Sequence, residues 1–533
     1  MRNILQKNWL IGSVLLILYF IIHLIGITKL PIFADEAIYI RWAQLILDDA
    51  NRYAFFSLND GKTPLFFWTI LPFLQSIEDQ LLAARFVSVL YGAAQIGVIW
   101  LILIRLRVSS FTQAMTVLWV SILPFWYFHH RMALLDGMLT LWISVAYLLA
   151  LEISKQQSTI FSPSLNRKRV ISGIVVLGFS IGLGLWTKLP AILAIPGLFF
   201  TVFFKNTTQE RVFVLLRIGL GVTVGFCLFL LLKLHPAFPQ LFSRSGDFLY
   251  SLPEFFQSAW QVTFLQWPTY IGYFVRYLGV WLLVLALTAL FQDKNKKYSH
   301  WFFWSGVMFV LPIFVLGQVV YARYLFPAAF FMTITAALGL DAVVDMVRKQ
   351  TSLRKKALGA TILAVVLANS FLPGIQFVLA SLTSVAQIPF VSSDAEQYLE
   401  EWPNGIGVRE VVALAQAKSQ TQTLAIATEG YFGTLPDAIL VYLHNQSVEN
   451  LYVEGIGQPI YTIPASFTDR AKNFDTSWLV VNSTRNFLPP ESATLIQEWC
   501  AYPERVRATV RCLQLWDISS LVSQDLTDIQ NLE

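Results

Sequence analysis

Residues 31–41 read PIFADEAIYIR and place two adjacent carboxylates, Asp35 and Glu36, directly after the first long apolar run, at the start of a helical pattern. Two acids there fit two roles. Asp35 can be an N-cap and Glu36 a first-turn acid favoured by the helix dipole. Alternatively, one carboxylate acts as general base on a hydroxyl while its neighbour orients an acceptor or holds a cation. The roles are compatible, because a capping carboxylate can still face a cleft. Asp136 follows FHHRMALL, where the chain returns to an apolar run. A lone acid there reads as a cap, as a salt-bridge partner (of Arg131, for instance), or as a second acid sharing a proton or metal with Asp35. Lys62 in NDGKTPLFFW, Arg323 in VVYARYLFPA and Lys188 in GLGLWTKLPAIL are the cationic counterparts. Snorkelling to lipid head groups would explain them. So would clamping a phosphate, for which Arg has a planar fork and Lys a point charge. His130, Arg131 and Arg244 are candidate contacts for a sugar or acceptor. His129 and His130 are adjacent, and neighbours on a helix end rarely chelate one ion together. Asp60 and His235 are the candidates should a divalent metal take part.

Lipid must solvate much of the chain that carries these residues. Of 533 residues, 56% are hydrophobic and 13% charged, against about 25% charged in an ordinary soluble domain. Mean hydropathy is +0.58, and the 17 Trp and 42 Phe exceed what a soluble core can hide. Apolar runs of about 20 residues, the length of a bilayer span, recur at 9–28, 82–104, 111–128, 136–153, 170–187, 189–204, 211–233, 271–291, 301–318, 323–341 and 358–380. This predicts an α-helical polytopic membrane protein of about eleven spans. The first is not expected to be a cleaved signal, since no small-residue cleavage site precedes KLPIFADE.

The connections MRNILQK, RLR, NRKR, KNTTQER, QDKNKK and RKQTSLRKK are basic and fall on alternate sides. The positive-inside rule places them, and the N-terminus, in the cytoplasm of a plasma-membrane protein. The outer face then carries the 29–81 loop, FHHRMALLD, TKLP, the 234–270 loop and the C-terminal region, and with them nearly every candidate above. Residues 36–48 set Arg41, Gln44 and Asp48 on one helical face and Ile38, Trp42, Leu45 and Ile46 opposite. That pattern predicts an interfacial helix with a solvated polar face, and with Asp35 and Glu36 turned toward the apolar side. FFWTILPFLQSI predicts a second such helix, opened by Pro64.

From about residue 385 the composition becomes soluble in type. TQTLAIAT, AILVYLHN, NLYVEG, SWLVVNS and VRCLQLW read as strands, DAEQYLEEW and REVVALAQAKS as helices. The expected division is a membrane domain over 1–384 and an extracytoplasmic α/β domain over 385–533. Cys500 and Cys512 flank AYPERVRATVR, a plausible hairpin, and an oxidising compartment would permit their pairing. Cys227, inside an apolar run, reads as a small buried hydrophobe. Asn445 and Asn482 begin sequons, which chance alone often produces. Nothing calls for a nucleic-acid partner.

The ordered set of the early Asp-Glu pair, GKTPL, HHRMALLDG, GLGLWTKLPAIL and ARYLFPA resembles the bacterial GT-C glycosyltransferases of the protein mannosyltransferase and aminoarabinose transferase superfamily. The resemblance covers roughly residues 10–340. It implies transfer of one sugar, with inversion, from a polyprenyl-phosphate carrier to an acceptor hydroxyl on a lipid, glycan or protein at the outer membrane face. Carried over, it makes Asp35 the catalytic base with Glu36 beside it, and Asp136 the second acid. Lys62 matches the lysine of the family's Lys-Pro-Pro segment and Arg323 the arginine of its Arg-Tyr-hydrophobic-Pro segment, both on the phosphate side. Two departures stand out. The segment reads Lys62-Thr63-Pro64, and Gly61 stands where the aminoarabinose branch carries an acid that helps bind metal. Asp60 is one place away; neither a divalent metal nor aminoarabinose as the sugar is implied by the resemblance.

An O-antigen polymerase or ligase would also work outside on a polyprenyl-linked sugar, but relies on Arg- and His-rich outer loops rather than an early Asp-Glu pair. A flippase or sugar transporter should show paired halves, broken spans at midplane and charges deep in helices. Here the charges gather at one face.

Overall fold

The computed structural model describes residues 2–156, 164–444, 450–502 and 510–523. Among them, seven helices are long and apolar enough to cross a bilayer: Gln80–Arg105, Leu135–Lys155, Val170–Thr187, Thr208–Leu234, Lys296–Leu316, Ala322–Arg348 and Leu353–Thr383. Leu252–Leu278 and Val280–Phe291 would make an eighth span, bent by 101° at their junction. The bend sits at Gly279, whose φ of +82° is strained for any side chain. The remaining predicted runs are shorter or broken. The 111–128 run splits into Ser110–Ile122 and Pro124–His129, because Pro124 has no N–H to continue the ladder. The 189–204 run, which holds Pro190 and Pro196, forms two 3₁₀ turns around the short helix Ile195–Phe199. The first helix, Arg2–Leu24, ends four residues before the predicted limit.

Burial sorts the spans. Leu135–Lys155 and Ala322–Arg348 are 72% buried within the protein, whereas Leu353–Thr383 is 22% buried and leaves its apolar surface for lipid. The two buried spans begin at Asp136 and Arg323, so the candidate residues hang from the centre of the bundle. Helices Ser164–Thr187 and Thr208–Leu230 cross through facing small residues. A Cβ on Gly178 would meet Val224 at 2.5 Å and one on Gly225 would meet Ile181 at 2.7 Å, a close backbone approach of the small-xxx-small kind. Cys227 on the second of these helices is exposed on its lipid side, not buried as its apolar setting led us to expect.

The chain divides into two compact units. The first holds residues up to Ile27, Asn51–Thr69 and Arg85–Thr383; the second holds Thr28–Ala50, Ile70–Ala84 and the residues from Ser384 on. This division differs from the expected 1–384 and 385–533 by the two stretches 28–50 and 70–84, which join the C-terminal residues.

The sheet of the second unit has strands β1 (Leu424–Thr428), β2 (Leu451–Gly455), β3 (Thr476–Asn482), β4 (Thr494–Cys500) and β5 (Cys512–Asp517), in the order β2-β1-β3-β5-β4. β1 runs parallel to both β2 and β3, while β5 is antiparallel to β3 and β4. AILVYLHN, expected as a strand, is the helix Asp437–Leu443. Two parallel neighbours need a crossover between them, and this requirement outweighs the β-propensity of its Ile and Val. β4 was not legible, because its residues are almost all exposed and carry no alternating apolar signal. Cys500 and Cys512 face each other across β4 and β5 and are joined by a disulfide. Ala425, Ala427, Leu479 and Val481 pack one sheet face against Phe467 and Val522. Asn445 lies outside the described residues; Asn482 is buried at the end of β3.

Candidate active site

In the first unit a group of cations around a few acids is built from four segments, beginning with NDGKT. The 3₁₀ turn Phe56–Asp60 closes on Gly61, whose φ of +72° lets the chain reverse and brings the Lys62 N–H to the Ser57 carbonyl at 3.0 Å. Lys62 Nζ then meets Asp60 Oδ2 at 3.3 Å, and Arg244 approaches Asp60 Oδ1 at 2.5 Å while pairing with Asp247 at 2.9 Å. Asp60 is thus held between two cations. His235 accepts from the Ala237 N–H at 3.2 Å and stacks on Phe55. No group of three His, Cys, Asp or Glu side chains that includes Asp60 or His235 gathers among the described residues.

Asp136 begins helix Leu135–Lys155 and is 3% exposed. Its partner is Lys188, at 2.7 Å, rather than the Arg131 suggested by sequence proximity. Lys188 leaves the end of helix Ser164–Thr187, where Pro190 stops the ladder. Its ammonium lies over the Tyr324 ring at 4.9 Å. Burial pushes its pKa below the ordinary lysine value; the Asp136 carboxylate opposes that shift, and the charges of Arg323 and Lys62 add to it. Lys62, Lys188, Arg323 and Asp136 therefore share one electrostatic neighbourhood. Arg323 is buried in the 3₁₀ turn Ala322–Leu325, its guanidinium flanked by Tyr321 and Tyr324 at 5.1 and 5.6 Å. Aromatic faces of this kind hold a guanidinium in place without using its N–H groups.

His130 and Arg131, read as sugar or acceptor contacts, are woven into the bundle instead. His130 bonds Gln95 at 3.2 Å beneath Tyr19 and Trp126. Arg131 donates to the Ile22 and Ile25 carbonyls and to the Tyr127 hydroxyl. Arg244 does stay with the cluster, through Asp60. Sequence reasoning passed over His129 except as a metal ligand. It is 1% exposed, neither ring nitrogen has a hydrogen-bond partner among the described residues, and it sits against Phe326 within electrostatic reach of Arg323 and Lys188. The tyrosines beside Arg323 were also passed over; the signal for them was the Y-A-R-Y spacing itself.

In the second unit, Asp35 and Glu36 open helix Ala34–Asp48. The N-cap position belongs to Phe33, not to Asp35 as expected. Phe33 has no side-chain acceptor, so Glu36 does the capping, its Oε2 taking the Phe33 N–H at 3.1 Å. The Ala34 N–H bonds the Pro403 carbonyl at 2.8 Å. Glu36 is fully buried, whereas Asp35, one residue earlier on the first turn, is part-exposed. The face expected to be solvated is so only in part: Asp48 is exposed and Arg41 part-exposed. Gln44 is fully buried and donates to Val441 O and Gln80 Oε1 at 3.0 and 3.3 Å. Arg41 and Asp48 both meet His444, at 3.2 and 3.4 Å. Helix Asp437–Leu443 is what covers this face.

Residues 56–235 match the family model described as dolichyl-phosphate-mannose-protein mannosyltransferase. No curated relative matches the chain by sequence. Among solved structures, the chain is similar to ArnT from Cupriavidus metallidurans in the apo state, with a TM-score of 0.57 at 15% identity over 98% of this chain and 99% of that one. It is similar to the same protein bound to undecaprenyl phosphate, with a TM-score of 0.54 at 16% identity over 97% and 98%. The Archaeoglobus fulgidus oligosaccharyltransferase in the apo form matches with a TM-score of 0.54 at 10% identity, over 89% of this chain and 69% of that one. At such identities the likeness is one of fold.

Proposed function

We propose that this chain, whose residues 56–235 match the dolichyl-phosphate-mannose-protein mannosyltransferase model and whose fold is similar to that of ArnT, is a GT-C glycosyltransferase that transfers a single sugar from a polyprenyl-phosphate donor to an acceptor hydroxyl at the outer face of the plasma membrane, with inversion. The observation that carries this reading is the shared neighbourhood of Lys62, Lys188 and Arg323 around one buried acid, Asp136. Polyprenyl phosphate leaves as an anion, and fixed cations where water is scarce stabilise charge developing on it. Arg323 and Lys62 serve the phosphate, and Lys188 pairs with Asp136 beside them. The acceptor oxygen attacks the anomeric carbon, the bond to the phosphate oxygen breaks, and the hydroxyl proton passes to Asp35. The match to a structure solved with undecaprenyl phosphate supports the donor class. The base assignment rests on the family resemblance and on the part-exposed first-turn position of Asp35. A positioned general base typically contributes about 10²–10⁴-fold.

Asp35→Asn is expected to abolish sugar transfer from a polyprenyl-phosphate donor in purified protein that unfolds at the wild-type temperature. Near-normal turnover by that variant rules out the mechanism. Lys62→Ala and Arg323→Ala are expected to weaken donor binding, measured with radiolabelled polyprenyl-phosphate sugar; unchanged affinity in both removes the phosphate assignment.

A further inference from the structure

The β1-β3 edge of the second unit has the architecture of a ligand crevice. The chain leaves β1, crosses to β2 on one side, then crosses back past β1 to β3 on the other. Helices cover both sheet faces. Val408–Ser419 packs with Asp437–Leu443, and Ala465–Ala471 packs with Ser519–Ser523. In open α/β sheets the crevice that takes a ligand lies at the carboxyl ends of the strands where the order reverses, which here means the ends of β1 and β3.

That point carries a built polar floor. Glu429, one residue past β1 and 3% exposed, accepts from the Asn482 N–H at the end of β3 at 2.9 Å and also from the Asn482 side-chain amide. Arg485 pairs with Glu429 at 3.3 Å, bonds Gln458 from the loop after β2, and lies over the Trp402 ring at 4.7 Å. Arg511 locks Asn482 from below through Nε. The three loops are tied together by backbone as well, Gly430 to Gly457 at 2.8 Å and Ile460 to Arg485 at 2.9 Å. Beside this floor stand large aromatics that are exposed among the described residues. Tyr431 is 74% exposed, Phe432 62%, Tyr461 61% and Phe487 53%, with Tyr461 and Phe487 stacked at 5.0 Å.

We propose that this carboxyl-edge crevice is a saccharide-binding site. Rigid aromatic plates beside an arginine, a carboxylate and a glutamine match a ligand whose C–H faces are apolar and whose rim is all hydroxyl. A bilayer is the competing occupant for exposed aromatics. Anionic lipid calls for several Lys or Arg beside them, yet the loops 429–437, 456–464 and 482–488 hold Glu429, Asp437 and a single basic residue, Arg485. The site does not depend on the transferase reading.

The test uses the full chain in detergent on an array printed with pyranose and furanose oligosaccharides and, separately, with phosphatidylglycerol. Retention on at least one oligosaccharide is expected, with affinity lowered at least fivefold by Tyr461→Ala and by Phe432→Ala. Tyr461→Phe should keep it, as should Leu495→Ala on the exposed strand β4. Asp35→Asn should bind as wild type, so failure of the transfer mechanism leaves this result readable. Retention on no oligosaccharide, retention on phosphatidylglycerol alone, or equal affinity across the aromatic variants overturns the proposal.

Discussion

The Asp136–Lys188 pair shows how a cation near the phosphate neighbourhood can be needed for the fold before it is needed for binding. Asp136 is 3% exposed, and Lys188 is its ion-pair partner at 2.7 Å. Removing one member of a buried pair strands the other charge and costs about 3–5 kcal/mol, whereas replacing both is often neutral. Lys188→Met is therefore expected to lower the unfolding temperature in detergent sharply, and Lys188→Met with Asp136→Asn to recover most of the loss. Tryptophan fluorescence on heating reads this directly. A double variant no more stable than the single would show that the pair does not govern stability. The Arg323 guanidinium lies over Tyr321 and Tyr324, and Arg323→Ala is expected to weaken donor binding.

At the scale of elements, the turn that presents Lys62 depends on Gly61. Its φ of +72° disfavours other residues, and a Cβ would lie 3.4 Å from the Leu241 carbonyl. A non-glycine residue in the left-handed region costs roughly 1–2 kcal/mol. Gly61→Glu is expected to lower stability by that amount and to displace Lys62, raising KM for the donor more than it lowers kcat; Gly61→Asn, which tolerates that region, should do less harm. The same turn illustrates what the sequence could reveal. Gly and Pro punctuation located the Lys62 and Lys188 turns, and charge spacing named the residues that the first unit brings together. Amphipathicity located helix Ala34–Asp48 but misassigned the middle of its polar face. Arg41, Gln44 and Asp48 have the periodicity of a solvated stripe; Asp48 is exposed as that stripe predicts, and helix Asp437–Leu443, about 400 positions away, accounts for the burial of Gln44. Apolar length overcounted clear spans, because residues 189–204 are hydrophobic enough to cross lipid but are broken by prolines into short turns.

For the whole molecule, the consequence is that an early segment is completed by a late one. Residues Thr28–Ala50, which carry Asp35, belong to the same compact unit as the residues from Ser384 on, so the C-terminal unit takes in a part of the first loop. Asp437 makes this dependence readable by pH. Burial pushes its carboxyl up to about 6, against the opposing pull of its Gly433 N–H bond and of the Arg41 charge on helix Ala34–Asp48. A carboxyl raised in the folded state binds its proton there more tightly than in the unfolded chain. Its contribution is fully present below the unfolded value near 4 and is lost as pH rises through about 6. The wild-type unit should accordingly lose stability between about pH 4 and pH 7 on this account. Asp437→Asn keeps an acceptor for the Gly433 N–H, bonded at 2.7 Å in the wild type, but cannot ionise. It should melt like wild type at pH 4.5 and at a higher temperature at pH 7.5. Arg41→Met in the wild-type background should widen the gap between the two pH values, since it removes a charge that favours the ionised form. If Arg41→Met leaves that gap unchanged, the electrostatic link between the first loop and the C-terminal sheet domain does not exist.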